Sequence, residues 1–257
     1  MNHCAGALVA LALVASSARV APAQDTVARP RHLLALDVTR VRPFARSYDM
    51  MVHAGDSTSV IGQRDVLFLP STYAGQPAWL LTETRTGLVP STDSLFLALD
   101  MRPIHWSSEL GKSRLGVEFS GDSIFGAVVT PSAKRSMILS NPPDLLVSAA
   151  MIEALVGLLP LTADWSDSAY VLAVDAGNAI VVPAELAIVG VEASPNDTTG
   201  DSTWVMAVRA DRAQLQFWIA KNAGEVKRVE QTLPAHVGSR LELRLRPTPA
   251  PGVTLPP

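Results

Sequence analysis

The sequence is poor in the residues from which most catalytic and metal sites are built. Among 257 residues there is one cysteine, Cys4, and there are five histidines. Cys4 lies ahead of the apolar run near the N-terminus, so it is not placed to become a lipid-modified terminus. A mature chain without the first 23 residues has no thiol, which excludes disulfides, thiolate nucleophiles and cysteine-ligated metals. His32, His53, His105 and His236 are scattered, with no His-x-x-x-His or glutamate-paired spacing, so the sequence implies no metal and no cofactor. His105, beside Trp106, is the one to single out among them. An excess of positive charge is missing too. With 21 Lys and Arg against 24 Asp and Glu the formal net charge is −3, which argues against a nucleic-acid partner. There is no glycine-rich phosphate loop and no repeat of 20 to 50 residues.

What is present begins with an export signal. Residues 1–23 have a short polar lead without Lys or Arg, an apolar run from Ala5 to Ala15, and small residues ending in Ala21-Pro22-Ala23. This is the outline of a secretory signal peptide cleaved near Ala23, and it predicts a periplasmic or secreted protein. The run is too short for a membrane span. Residues 24–43 form a polar, basic lead-in with Arg29, Arg31, Arg40 and Arg42, which reads as a solvated linker or as a peripheral contact for anionic lipid headgroups. Residues 247–257 form a proline-rich tail expected to be extended or disordered.

Between them, residues 44–246 read as one β-rich domain with a hydrophobic content that supports a sizeable core. In Ser239 to Arg246, Leu241, Leu243 and Leu245 alternate with Arg240, Glu242, Arg244 and Arg246, the period of a half-buried strand. Gln214 to Lys221 and the segment around Trp204, Met206 and Val208 alternate likewise. The pattern slips between Val226 and Val229, which predicts a bulge near Lys227 and Arg228. Strand-like runs also cover Arg46 to His53, Ser59 to Leu69, Ala78 to Thr86, Ser94 to Asp100, Ile104 to Leu110, Leu115 to Ser120, Ile124 to Thr130, Arg135 to Leu139, Ala169 to Asp175 and Ala179 to Ala193. Pro183 confines its part of the last run to an edge, a strand start or a bulge. Short strands at this spacing predict an antiparallel curved sheet or open half-barrel, not βαβ units.

One segment departs from the pattern. Asn141-Pro142-Pro143-Asp144 has the form of a helix start, and Leu145 to Leu159 is apolar but for Ser148, Glu153 and Gly157 before Pro160. A long apolar helix over about 142–159 is therefore expected to fill the concave face of the sheet. Glu153 must then pair, reach solvent or line a cavity, and a narrow solvent stripe with Ser148 or Gly157 is the plainer reading.

Gly121-Asp122-Ser123 resembles the nucleophile block of the Gly-Asp-Ser lipases and esterases, which would make Ser123 a nucleophile. The tripeptide recurs at Gly55-Asp56-Ser57 and Gly200-Asp201-Ser202, always at a strand junction, which is what turn chemistry predicts. Asp164 and Asp167 flank Trp165 and suit a cation or, more simply, side-chain bonds within a turn.

The signal peptide, the antiparallel strands, the apolar helix, Gly190-Val191-Glu192 and the hairpin from Phe217-Trp218-Ile219-Ala220-Lys221 to Val226-Lys227-Arg228-Val229-Glu230 together resemble an uncharacterised family of bacterial envelope proteins. That family is similar in fold to the lipoprotein carriers and receptors of the periplasm, open half-barrels that cover helices. The resemblance implies an apolar groove for a lipid, acyl chain or lipoprotein and carries over no catalytic residue. Candidate groove residues are Leu146, Ala150, Glu153 and Leu155 on the helix, with Trp204, Phe217 and Trp218 on the sheet. The expectation is a non-enzymatic envelope protein that binds an apolar ligand. The alternatives are a structural protein whose helix fills the groove and, of a different class, a secreted esterase using Ser123.

Overall fold

A computed structural model describes residues 36–88, 90–175, 178–194, 201–211, 213–233 and 239–247, the side chains of residues 175 and 178 excepted. The expected signal peptide, most of the lead-in, nearly all of the proline-rich tail, His32, His236 and Gly200 lie outside the described residues. Eight strands come first, β1 (Phe44–Ala54), β2 (Ser57–Tyr73), β3 (Gln76–Gly87), β4 (Ser91–Leu97), β5 (Pro103–Leu110), β6 (Ser113–Ser120), β7 (Ser123–Thr130) and β8 (Ala133–Ser140). A short strand β9 (Leu145–Leu146) and a helix α1 (Ala149–Leu155) follow, and six more strands complete the chain: β10 (Ser166–Asp175), β11 (Asn178–Ala193), β12 (Ser202–Ala210), β13 (Ala213–Ala220), β14 (Val226–Thr232) and β15 (Ser239–Leu245).

All fifteen strands belong to one sheet, ordered from β8 down to β1, then β15 down to β9. Among the described residues two antiparallel meanders, β1 to β8 and β10 to β15, are thus joined by one seam, where β1 pairs antiparallel with β15 from Tyr48↔Leu245 to Ala54↔Ser239, and β9 adds in parallel beside β10. β8 and β9 lie at opposite edges although only residues 141–144 separate them. Flat, a fifteen-stranded sheet is about 65 Å wide at the usual strand spacing. The connection reaches at most about 18 Å. The sheet therefore has to curl until its edges approach, and β8 does come close to β11. It remains open, because β8 and β9 do not pair.

The strands follow the sequence pattern closely. β14 carries the expected bulge: Trp218 pairs with Arg228 and Ile219 with Val226, which leaves Lys227 extra. Pro183 pairs only toward β10, since the β11–β12 ladder starts at Ala184↔Ala210, so the missing N–H costs no ladder bond. Inward side chains form rows across strands, such as Phe68↔Leu81↔Leu95↔Trp106↔Val117, all buried. Gly55 and Gly121, at φ of 57° and 54°, make the two-residue hairpin turns that their tripeptides predict.

The helix is the main correction. It covers seven residues, extended by a 3₁₀ turn over Val156–Leu158, and not the whole of 142–159. Asn141 does not cap it: its side-chain amide donates to the Gly121 carbonyl at 2.9 Å. Asp144 has φ of 66°, and Leu145 and Leu146 pair in parallel with Tyr170 and Val171 of β10. The cap is Ser148, whose Oγ accepts from the Met151 N–H at 3.1 Å. The polar residue that seemed to interrupt a longer helix starts a shorter one. Every residue of α1 is buried, and the helical segment docks on the β13–β14 turn through backbone, Gly157 against Gly224.

That contact gives a test. At Gly224, φ is 62° and an added Cβ would stand 2.6 Å from the Gly157 Cα. Gly224→Ala is expected to lower stability by about 1–3 kcal/mol in urea unfolding. Gly190→Ala, which meets nothing within 4 Å, should shift the midpoint little by comparison.

Candidate functional site

Four ionisable side chains that touch one another are buried on the concave side. On β2, Arg64 shares the parity of Val66 and Phe68, so the pleat that buries those two turns a guanidinium inward. On β3, Glu83 faces inward by the same rule beside Leu81, and Tyr48 on β1 is directly opposite Arg64. Glu153 enters from α1. All four are 2% exposed or less.

Arg64 holds the cluster together. Its Nη1 donates to Glu153 Oε1, its Nη2 donates to Glu83 Oε2 at 3.1 Å, and its Nε is 3.0 Å from Glu83 Oε1. Tyr48 donates its hydroxyl to Glu153 Oε2 at 2.7 Å, with the Val226 carbonyl 3.3 Å away. Each oxygen of Glu153 thus receives one donor, a guanidinium N–H on one and a phenol O–H on the other. Arg85, opposite Arg64, donates its Nε to Glu83 Oε1 at 2.5 Å. Burial pushes the Glu83 carboxyl up, but Arg64 and Arg85 outweigh it and hold it at about 2. Burial likewise opposes the charge on Arg64, and Glu153 and Glu83 override it. The Tyr48 phenol is driven well above its ordinary range by burial, then by Glu153. Asp93, opposite Glu83, is pushed up by burial and by that neighbour. Arg46, two residues before Tyr48, lies 3.9 Å over the Phe44 ring and 3.7 Å from Glu225, with its Nε and Nη1 buried and not hydrogen-bonded.

An apolar cavity of about 20 Å³ lies on another side of α1, lined by Leu36, Leu146, Ile152, Leu155, Leu159 and Leu186. It has the volume of about one water molecule and offers no polar partner to hold one.

Two of the groove residues expected from the sequence, Leu146 and Leu155, line this cavity, and Ala150 is buried on the same helix. Phe217 is wholly buried facing inward, and Trp204 packs at the inner rim with the Lys221 ammonium 4.0 Å from its ring. Trp218 does not share that face. It follows Phe217 on the strand and so points outward, where its Nε1 donates to Glu192 Oε2 at 2.7 Å and Arg228 covers the ring at 3.5 Å. The solvent-stripe reading of Glu153 is also corrected, because its partners stand on strands far away in sequence. Ser123 opens β7 after a hairpin turn and pairs with Ser140, so a strand follows it where an esterase elbow has a helix. His53 and His105 bind Glu242 and Glu118 separately, each at 2.7 Å. Asp164 accepts from Thr162 Oγ1 within a turn, whereas Asp167 lies in β10 and accepts from the Ser168 N–H.

Sequence reasoning missed Arg64, Glu83, Tyr48 and Arg85. The available signal was parity: Arg64 with Val66 and Phe68, Glu83 and Arg85 with Leu81, opposite charges on the apolar faces of consecutive strands.

Removing one partner of a buried ion pair leaves an uncompensated charge, so Glu153→Ala should cost about 3–5 kcal/mol in denaturant unfolding. Because the folded protein holds Glu83 below its unfolded value of about 4.3, its contribution is present above that pH and is lost as pH falls toward 2. Acid unfolding is therefore expected to steepen between about pH 4.3 and 2, and Glu83→Gln, less stable at pH 6, should flatten that part of the profile.

No family model and no curated protein matches the sequence. Among solved structures, the fold is similar to the β-barrel-like protein of the domain of unknown function DUF1849 from Brucella abortus, at a TM-score of 0.53 and 14% identity, over 80% of this chain and 97% of that one. The likeness is one of fold, a barrel-like, mainly β architecture.

Proposed function

We propose that this is an exported envelope protein without enzymatic activity, which binds an apolar ligand (a lipid, an acyl chain or the acylated end of a lipoprotein) on the concave face of its sheet, beneath α1. The supporting observation is how α1 is seated. Among the described residues no backbone hydrogen bond ties α1 itself to the sheet. It is held by apolar side chains, by Glu153 and, in the 3₁₀ turn that follows, by the contact of Gly157 with Gly224, and the strand that leads into it is a two-residue parallel ladder at the sheet edge. On this reading α1 withdraws as a unit while β1 to β8 and β10 to β15 stay paired. Its apolar side chains belong to one continuous core cluster with the concave face of the sheet, to which Phe217, Met206 and Ile219 also contribute. Such surface suits hydrocarbon, with the sheet curvature setting the width of the groove.

A second reading, a structural envelope protein with a permanently filled interior, is favoured by the small cavity under α1. Native mass spectrometry of the mature protein from Asp25, purified gently from periplasm, separates the two. A stoichiometric adduct that organic extraction identifies as a fatty acid, phospholipid or acylated peptide is the expected result. A bare mass that stays bare after incubation with such lipids would transfer the assignment to the structural reading.

A further inference from the structure

The contact that seats α1 has the chemistry of a ligand site. Glu153 presents a carboxylate at the end of a short aliphatic stem, with Arg64 on one oxygen and Tyr48 on the other. A fatty acid presents the same group at the end of a longer stem. We infer that Arg64 and Tyr48 form a carboxylate seat, that Glu153 is its resident occupant in the closed protein, and that the headgroup of a fatty acid takes its place when α1 withdraws. This rests on the proposed function and narrows its ligand to a monocarboxylate with a hydrocarbon tail.

The partners that the seat leaves unmatched favour that class, although the charges around it balance. The inward face around the seat carries Arg46, Arg64 and Arg85 against Glu83, Asp93 and Glu153, with Glu225 at the rim. Glu83 is committed to Arg85 as well as to Arg64. With Glu153 withdrawn, Arg64 keeps Glu83 on its Nε and Nη2 but loses the acceptor of its Nη1, and a buried donor left unmatched is costly. An alcohol, ester or amide headgroup restores a hydrogen bond but no charge. A phosphate brings more oxygens and more charge than one guanidinium N–H and one phenol can match. A carboxylate matches both the donor count and the charge. Its tail would take the place of the apolar side chains of α1 in the core cluster of the concave face.

The test compares dodecanoate with 1-dodecanol, which share a tail and differ in the head, on the mature protein by isothermal titration calorimetry. Dodecanoate is expected to bind at least about tenfold more tightly, the usual scale of a charge-assisted hydrogen bond. Glu153→Gln weakens the resident occupant and so raises the share of protein with α1 withdrawn; it should tighten dodecanoate by roughly tenfold and dodecanol with it, because both tails need the same withdrawal. Tyr48→Phe keeps Glu153 and the ring but removes one donor, and should reduce the preference for dodecanoate several-fold. It stands in for Glu153→Gln should that variant fail to fold. Equal affinity for the two ligands in the wild type, or a preference untouched by Tyr48→Phe, would overturn the carboxylate seat and leave an apolar-ligand protein. Failure of both ligands to bind the wild type and the variants would overturn the seat and count against the wider functional reading as well.

Discussion

A guanidinium buried to 1% exposure is the constraint to which the rest of this protein answers. Moving such a charge out of water costs several kcal/mol even after relaxation, so Arg64 is tolerated only if its partners are placed well. They come from different parts of the chain: Glu83 on β3, Glu153 on α1, and Tyr48 on β1, which orients Glu153 from its other side. A slip of β2 by one residue would turn Arg64 outward and Asp65 inward, so the ion pairs and the hydrophobic pleat select the same register. The cluster also fixes the azimuth of α1. An apolar helix on an apolar face has several acceptable rotations, and one carboxylate that must meet one arginine removes all but one.

Inside and outside of the sheet use charge differently. Outward-facing Glu242 binds His53 at 2.7 Å and Arg244 at 2.8 Å, and Arg228, Glu230 and Arg240 form a looser ladder beside it. The looser pairs are partly exposed, are screened by salt and each contribute little. The inner cluster is dry. Losing one partner there leaves a buried charge uncompensated, a penalty that the exposed pairs do not carry.

The strands were legible because a half-buried antiparallel strand writes itself as period-2 alternation, seen best in Leu241, Leu243 and Leu245, and because turn tripeptides mark the junctions. Even the bulge at Lys227 left a phase slip to read. The helix was misjudged because hydrophobicity alone does not distinguish a buried helix from a buried strand pair. Leu145 and Leu146 are apolar in either state, and the deciding facts, the positive φ at Asp144 and the cap at Ser148, depend on β10 and on local geometry. The charge cluster was hidden for another reason. Arg64 and Glu153 are 89 residues apart, and nothing local to either announces the other.

The seam between β1 and β15 has a consequence for how the molecule assembles. Nearly every other strand pair is a hairpin between sequence neighbours, which closes fast and at small entropic cost, whereas this pair joins residues about 200 positions apart. Two half-sheets can therefore form early and separately, each displaying an unfinished edge at β1 or β14 until the final strand arrives. The last segment of the domain to leave the ribosome is the one inserted at the middle of the sheet, so a chain truncated before Ser239 would be left as two sticky halves of a roll.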